Sequence, residues 1–174
     1  MNEAIKNLLE RRSCRLFKEE QVKKEDLDLI LKVGPYAPTG MGKQSPLIVV
    51  VQDKDKIDKI ERINAEIMGN KEAHTFYGAP TLVIVFGDKN AAFCKDDANL
   101  VMGNILNAAN ALGVDSCYIW RAKETFETET GKQWMKEWNI PDNFVGVGNI
   151  ILGYGMPNGK REAPARKADY IRFV

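Results

Sequence analysis

The stretch DDANLVMGNILNAANALGVDSCYIW, Asp96 to Trp120, sets how the rest of the chain is read. From Ala98 to Leu112 its apolar residues run around the whole helical wheel, interrupted only by Asn99, Asn104, Asn107 and Asn110. A helix that is apolar on nearly every side is a helix buried on every side. Its alanines and Gly103 admit another backbone at close range, and Gly113 suits the position just past a helix end. The next residues, Ser116 to Trp120, have strand character. A helix this apolar exceeds what the surface of a small monomer tolerates, so a dimer is expected.

Two further β-type runs lie upstream, Leu47 to Val51 and Leu82 to Phe86. Both are apolar at successive positions rather than alternating, which predicts strands covered on both faces. A charged helical stretch, Lys54 to Met68, separates them. Helical spacing also marks Ala4 to Leu9 and Leu27 to Leu31. A polar helix is predicted around Glu127 to Trp138, and a last strand over Val147 to Leu152. Strands and helices interleave without repeat or linker, giving an α+β chain with a single domain over residues 1–174.

Composition bounds the function. The chain has 174 residues, 44% of them hydrophobic, and a net charge of +1. At this size about 8,500 Å² of surface is expected after folding, roughly 30% of the unfolded value, so a hydrophobic core needs no disulfide staples. Near-neutral charge argues against a protein that coats nucleic acid. The three cysteines, Cys14, Cys94 and Cys117, show no CxxC spacing, and with His74 the only histidine no metal site is expected. Met1 to Ser13 lacks the apolar core of a secretory signal, and no apolar run reaches membrane length. A protein of the cytoplasm, free of membrane, is the expectation.

Three segments carry candidate chemistry. Arg11-Arg12-Ser13-Cys14-Arg15-Leu16-Phe17-Lys18 holds four cations and no acid. Guanidinium forks match a phosphate bidentately and cannot lose their charge. The plainer reading is a solvated basic turn. The tail from Asn158 to Val174 is again rich in cations, and Arg166 can join the N-terminal arginines if the ends meet. Between a helix and a strand, Ala37-Pro38-Thr39-Gly40-Met41-Gly42-Lys43-Gln44-Ser45-Pro46 combines glycines with hydrogen-bonding side chains, as a ligand-approaching loop does. It lacks the GxxxxGK[ST] spacing of a phosphate-binding P-loop.

Together with GAPTLVIV at Gly78 to Val85 and ILGYG at Ile151 to Gly155, these segments resemble the nitroreductase family of flavin enzymes over nearly the whole chain. The resemblance implies a three-layer sandwich with a central mixed sheet, an intertwined homodimer, and FMN at the dimer interface. It implies that Arg11, Arg12 and Ser13 hold the FMN phosphate and ribityl chain, with Arg166 completing the phosphate clamp. Arg15 is implied at the pyrimidine edge, where a cation favours the reduced ring. Pro38, Thr39, Gly40 and Gln44 match a loop contributed by the partner subunit, and Asn70 matches an asparagine at the pyrimidine. Tyr118, Ile119, Trp120 and Arg121 match the segment whose backbone N–H groups face the hydride-accepting nitrogen. The chain departs from the family at Gly42, where an asparagine is usual, at Ser45-Pro46, where Pro-Trp is usual, and at the bulky Trp120.

The activity implied is reduction of nitroaromatic, quinone or similar electron-poor acceptors by NAD(P)H in two half-reactions at one site. No side-chain nucleophile and no metal is needed for it. The rival reading is a flavin-binding protein that stores or senses the cofactor, its pocket narrowed by Trp120. A phosphate- or nucleic-acid-binding module built on the arginines alone is a third. Of the remaining residues, His74 reads as a surface residue, Cys14 as pointing inward, and Trp134 with Trp138 as packing. Asp96 and Asp97 read as helix N-terminal charges, and Phe126 as a residue near the flavin face.

Overall fold

The computed structural model describes residues 1–174. Six α-helices and four strands follow the chain as α1 (Glu3–Glu10), α2 (Lys24–Val33), β1 (Leu47–Val51), α3 (Lys54–Met68), β2 (Thr81–Asp88), α4 (Cys94–Ala111), β3 (Asp115–Ile119), α5 (Ala122–Glu127), α6 (Glu129–Glu137) and β4 (Phe144–Gly153). The strands form one sheet in the order β1-β2-β4-β3, with each neighbouring pair antiparallel. A mixed sheet was the expectation. Its one parallel element within this chain is the isolated bridge from Ser13 to Ser116, where the arginine segment lies along β3.

Helices cover both faces, which makes three layers. On one face Val83, Val85, Ile150 and Leu152 of the sheet pack against Ile30 of α2 and against Val101, Met102 and Ile105 of α4. On the other, Leu82, Ile84, Phe86 and Ile151 meet Ile57 and Ile60 of α3, Phe126 of α5 and Trp134 of α6. Strand β2 is therefore buried on both sides from Thr81 to Gly87, as its unbroken apolar run requires. Full burial of each large aliphatic side chain here is worth about 1.5–3 kcal/mol.

Local chemistry sets the helix ends. The Asp53 carboxylate caps α3 by accepting from the Lys56 N–H at 2.7 Å, and Gly69, at φ 84°, ends it. The helix predicted around Glu127 to Trp138 is α6, and α5, which the sequence pattern did not mark, directly precedes it. Thr128, at φ −67° and ψ 159°, closes α5 and caps α6, its hydroxyl accepting from the Gly131 N–H at 3.0 Å. Gly131 permits this sharp junction, since a Cβ there would lie 2.2 Å from the Thr125 carbonyl oxygen.

Helix α4 departs from the expectation of burial on every side. Its sheet-facing residues are covered, but Leu100 is 48% exposed. Further apolar surface stands open on α1, at Ile5, Leu8 and Leu9, and at the chain end, at Tyr170, Ile171, Phe173 and Val174.

Candidate functional site

The arginine segment leaves α1 at Arg11 and runs in extended conformation between β3 and the loop after β4. Cys14 N–H donates to the Ser116 carbonyl at 2.9 Å, Arg15 N–H to the Gly159 carbonyl at 2.7 Å, and Lys18 N–H to the Tyr154 carbonyl at 2.8 Å. Extended backbone alternates its side chains. Cys14 and Phe17 are buried in the core while Arg15 and Leu16 face outward. The inward Cys14 matches its reading from sequence, and burial holds its thiol above the ordinary 9.0.

Arg15 lines a cleft of about 420 Å³ at the end of β3. Tyr118, Ile119, Trp120 and Arg121 line it together with Met68, Ala73, His74, Thr75 and Tyr77, and no acid is among the lining residues. The volume falls in the range of small-molecule sites. The structure thus joins Arg15 to the Tyr118–Arg121 segment, residues that lie more than a hundred positions apart. His74 sits on the rim with its side chain 88% exposed, its Nδ1 3.9 Å from Oε2 of Glu61.

The cations here have no acidic partners. Every ion pair in the chain uses a lysine or His74, and none uses an arginine. Arg12 turns back onto the end of α1 and donates to the Leu9 and Arg11 carbonyls at 2.6 and 2.8 Å. Favourable charge at a helix C-terminus explains that placement. No side-chain hydrogen bond within the chain uses the guanidinium of Arg11 or Arg15.

Arg121 is held differently. It occupies the left-handed region at φ 73°, directly ahead of α5, a conformation that costs about 1–2 kcal/mol for a residue with a Cβ. Its Nε donates to Oδ1 of Asn64 at 3.1 Å and its Nη2 to Sδ of Met68 at 3.4 Å. Nδ2 of Asn64 donates to the Trp120 carbonyl at 2.7 Å, and Nδ2 of Asn149 reaches the same oxygen at 3.3 Å. Both asparagines are 0% exposed. Neither was singled out from sequence, although Asn64 stands on the apolar stripe of Ile57, Ile60 and Ala65 in α3, where a polar side chain is out of place.

The other predicted residues lie outside this cleft within one chain. Gly40 N–H donates to Oδ1 of Asp97 at 2.9 Å, which ties the Pro38–Gln44 loop to the start of α4. Asp97 is thus a buried acceptor as well as a helix N-terminal charge. A Cβ on Gly40 would fall 2.1 Å from the Phe93 ring, so only glycine fits. Gln44 and Pro38 are exposed. Asn70 is exposed just past α3, its Oδ1 accepting from the Glu72 N–H at 3.2 Å. Arg166 lies in the exposed tail and donates only to the Pro164 carbonyl at 3.4 Å, apart from the N-terminal arginines. Phe126 is a correction: it is buried between Phe86, at 4.9 Å between ring centroids, and Trp138, at 5.8 Å, and does not line the cleft. Trp120 is 70% exposed and stands out from the rim.

The fold and this cleft define a three-layer α+β protein with a cationic site at the edge strand of its sheet. The chain belongs to the nitroreductase family, whose pattern it matches over residues 8–154. A protein of Archaeoglobus fulgidus, provisionally named NADH dehydrogenase/NAD(P)H nitroreductase, is 30% identical over 163 residues, covering 88% of this chain and 86% of its own. A nitroreductase of Bacteroides fragilis crystallised with FMN superposes with a TM-score of 0.91 at 28% identity, over 100% of both chains. A second, from Desulfitobacterium hafniense and also with bound FMN, gives 0.88 at 26% identity, over 100% of this chain and 99% of the other.

Proposed function

We propose that this chain is an FMN-dependent NAD(P)H oxidoreductase that works as a homodimer on electron-poor acceptors such as nitroaromatics and quinones. The observation that carries the reading is the arginine segment: Arg11 and Arg15 stand without a carboxylate or carbonyl partner, one of them lining the cleft at the end of β3. Unpaired guanidinium groups beside a concave site favour a phosphorylated ligand. The donor set fits FMN, with Arg11, Arg12 and Ser13 toward the phosphate and Arg15 toward the electron-rich edge of the ring. Bound there, FMN supplies the capacity to accept a hydride and to release two electrons.

The chain's own residues bind, orient and tune. Arg15 places fixed positive charge where reduction accumulates negative charge. The Tyr118–Arg121 backbone forms the floor against which the ring is oriented. NAD(P)H and the acceptor occupy the same cleft in turn, since one chain offers one such site at the arginine segment. The loop of Pro38, Thr39, Gly40 and Gln44, with Arg166 from the tail, completes the site from the second copy. Support for two copies comes from the accessible surface, 10,821 Å², which exceeds the roughly 8,500 Å² of a globular monomer of this mass. The sequence holds three free cysteines, in keeping with a reducing compartment such as the cytoplasm.

The test is an anaerobic titration of FMN-loaded protein. Addition of NADH or NADPH is expected to bleach the absorbance near the flavin maximum, and a nitroaromatic or quinone to restore it. Retained colour with both nicotinamides would instead favour the storage or sensing reading.

A further inference from the structure

We infer that Asn64 and Asn149 are positioning residues: they clamp the Trp120 carbonyl inward and so present the Arg121 N–H to the cleft as a fixed donor for the ring of the bound ligand. The inference rests on the FMN reading of the cleft.

The peptide group is planar and trans, so its C=O and N–H point in opposite directions. The Trp120 oxygen is turned into the protein, where Asn64 Nδ2 and Asn149 Nδ2 donate to it at 2.7 and 3.3 Å. The N–H of the same peptide, that of Arg121, must then point away from the core, on the side where Arg121 lines the cleft. It donates to no backbone or side-chain acceptor in the chain, although its own carbonyl accepts from the Thr125 N–H at 2.9 Å. A polar peptide with one end pinned and the other uncommitted is a preorganised donor.

The same Asn64 carboxamide holds the Arg121 side chain through Oδ1 at 3.1 Å. One side chain therefore fixes both ends of a residue whose φ of 73° needs support. Burial makes the clamp stiff, since Asn64 and Asn149 are fully enclosed and their donors have no water to turn to. Arg121 N–H is the donor that touches the ligand, and the asparagines act through it.

The experiment compares wild type, Asn64→Leu, Asn64→Asp and the core control Ile60→Val, each loaded with FMN. Ile60 is fully buried one turn earlier on the same helix and carries no polar contact. Asn64→Leu removes both hydrogen bonds, whereas Asn64→Asp keeps an acceptor for Arg121 and loses the donor to Trp120. Both Asn64 variants are expected to bind FMN within about threefold of wild type, because the phosphate cations lie elsewhere. Their preference for reduced over oxidised cofactor is expected to change about tenfold, a shift of about 30 mV in the two-electron midpoint potential. Ile60→Val is expected to keep the wild-type potential. A wild-type potential and visible spectrum in both Asn64 variants would overturn the inference while leaving the flavin reading intact. A wild type that takes up no FMN would overturn both.

Hydrogen exchange of the Arg121 amide in wild type serves if the Asn64 variants do not fold. Fast exchange without FMN, slowed at least about tenfold with it, supports the inference, and equal protection in both states overturns it.

Discussion

Single residues divide here into those that hold the chain and those held ready for a ligand. The Arg11 guanidinium makes no polar contact in its own chain, and its backbone bonds survive replacement by alanine, so Arg11→Ala should leave folding nearly unchanged and weaken FMN binding. A charge-assisted contact to an anion is worth about 2 kcal/mol, so Arg11→Ala is expected to raise the FMN Kd roughly 30-fold, measured by fluorescence quenching titration. Cys14, two residues beyond Arg12, belongs to the other kind. Burial raises its thiol pKa above 9.0 in the fold, while the unfolded chain ionises at the ordinary value. Above that pH the unfolded state has lost a proton that the folded state keeps, so stability falls as pH rises, and below it the thiol contributes no pH dependence. Cys14→Ala should therefore lose less stability than wild type between about pH 8 and pH 10, as read from urea midpoints.

The inward placement of Cys14 was legible in the sequence, where it interrupts a run of arginines as a small apolar residue. The roles of Asn64 and Asp97 were not. Each is defined by a partner 56 or 57 positions away, the Trp120 carbonyl for one and the Gly40 N–H for the other, and spacing along the chain carries no record of such a meeting. The strand run Leu82–Phe86 was legible because burial on both faces leaves an unbroken apolar stretch, and Leu47–Val51, an edge strand, is apolar on both faces though only half-buried. Helix α5 was missed because six residues, Ala122–Glu127, are too few to show a helical period, whereas the i, i+4 pair of Trp134 and Trp138 marks α6.

Among the elements, α4 shows most clearly how a pattern exceeds its surroundings. Val101, Met102 and Ile105 account for the face it packs on the sheet, but Leu100 lies open at 48% exposure. An apolar helix with one face uncovered fits the proposed second copy of the chain. Leu100→Glu should then leave the fold of one chain intact, because the position is half exposed there, and should shift the protein from dimer to monomer. Light scattering after gel filtration reads the mass directly. An unchanged dimer would place the interface elsewhere. The same logic applies to α1, whose apolar Leu8 and Leu9 face outward while Asn7 secures the helix to α4 by donating to the Asn107 carbonyl at 2.9 Å.

Taken whole, the molecule carries roughly 2,300 Å² more surface than a globular chain of its mass. That excess is comparable with what a stable subunit interface buries, and the tail stands open to solvent, with Phe173 97% exposed. The loop at Gly40 and the cation at Arg166 both stand away from the cleft of their own chain. An intertwined pair brings such segments to a neighbour's site without new folding, which is the account's central claim. It is tested most directly by incubating the purified protein with FMN and passing it through gel filtration with detection at both protein and flavin wavelengths. The account predicts co-elution of one FMN per chain at the mass of a dimer, and a colourless peak at the mass of a single chain would contradict it.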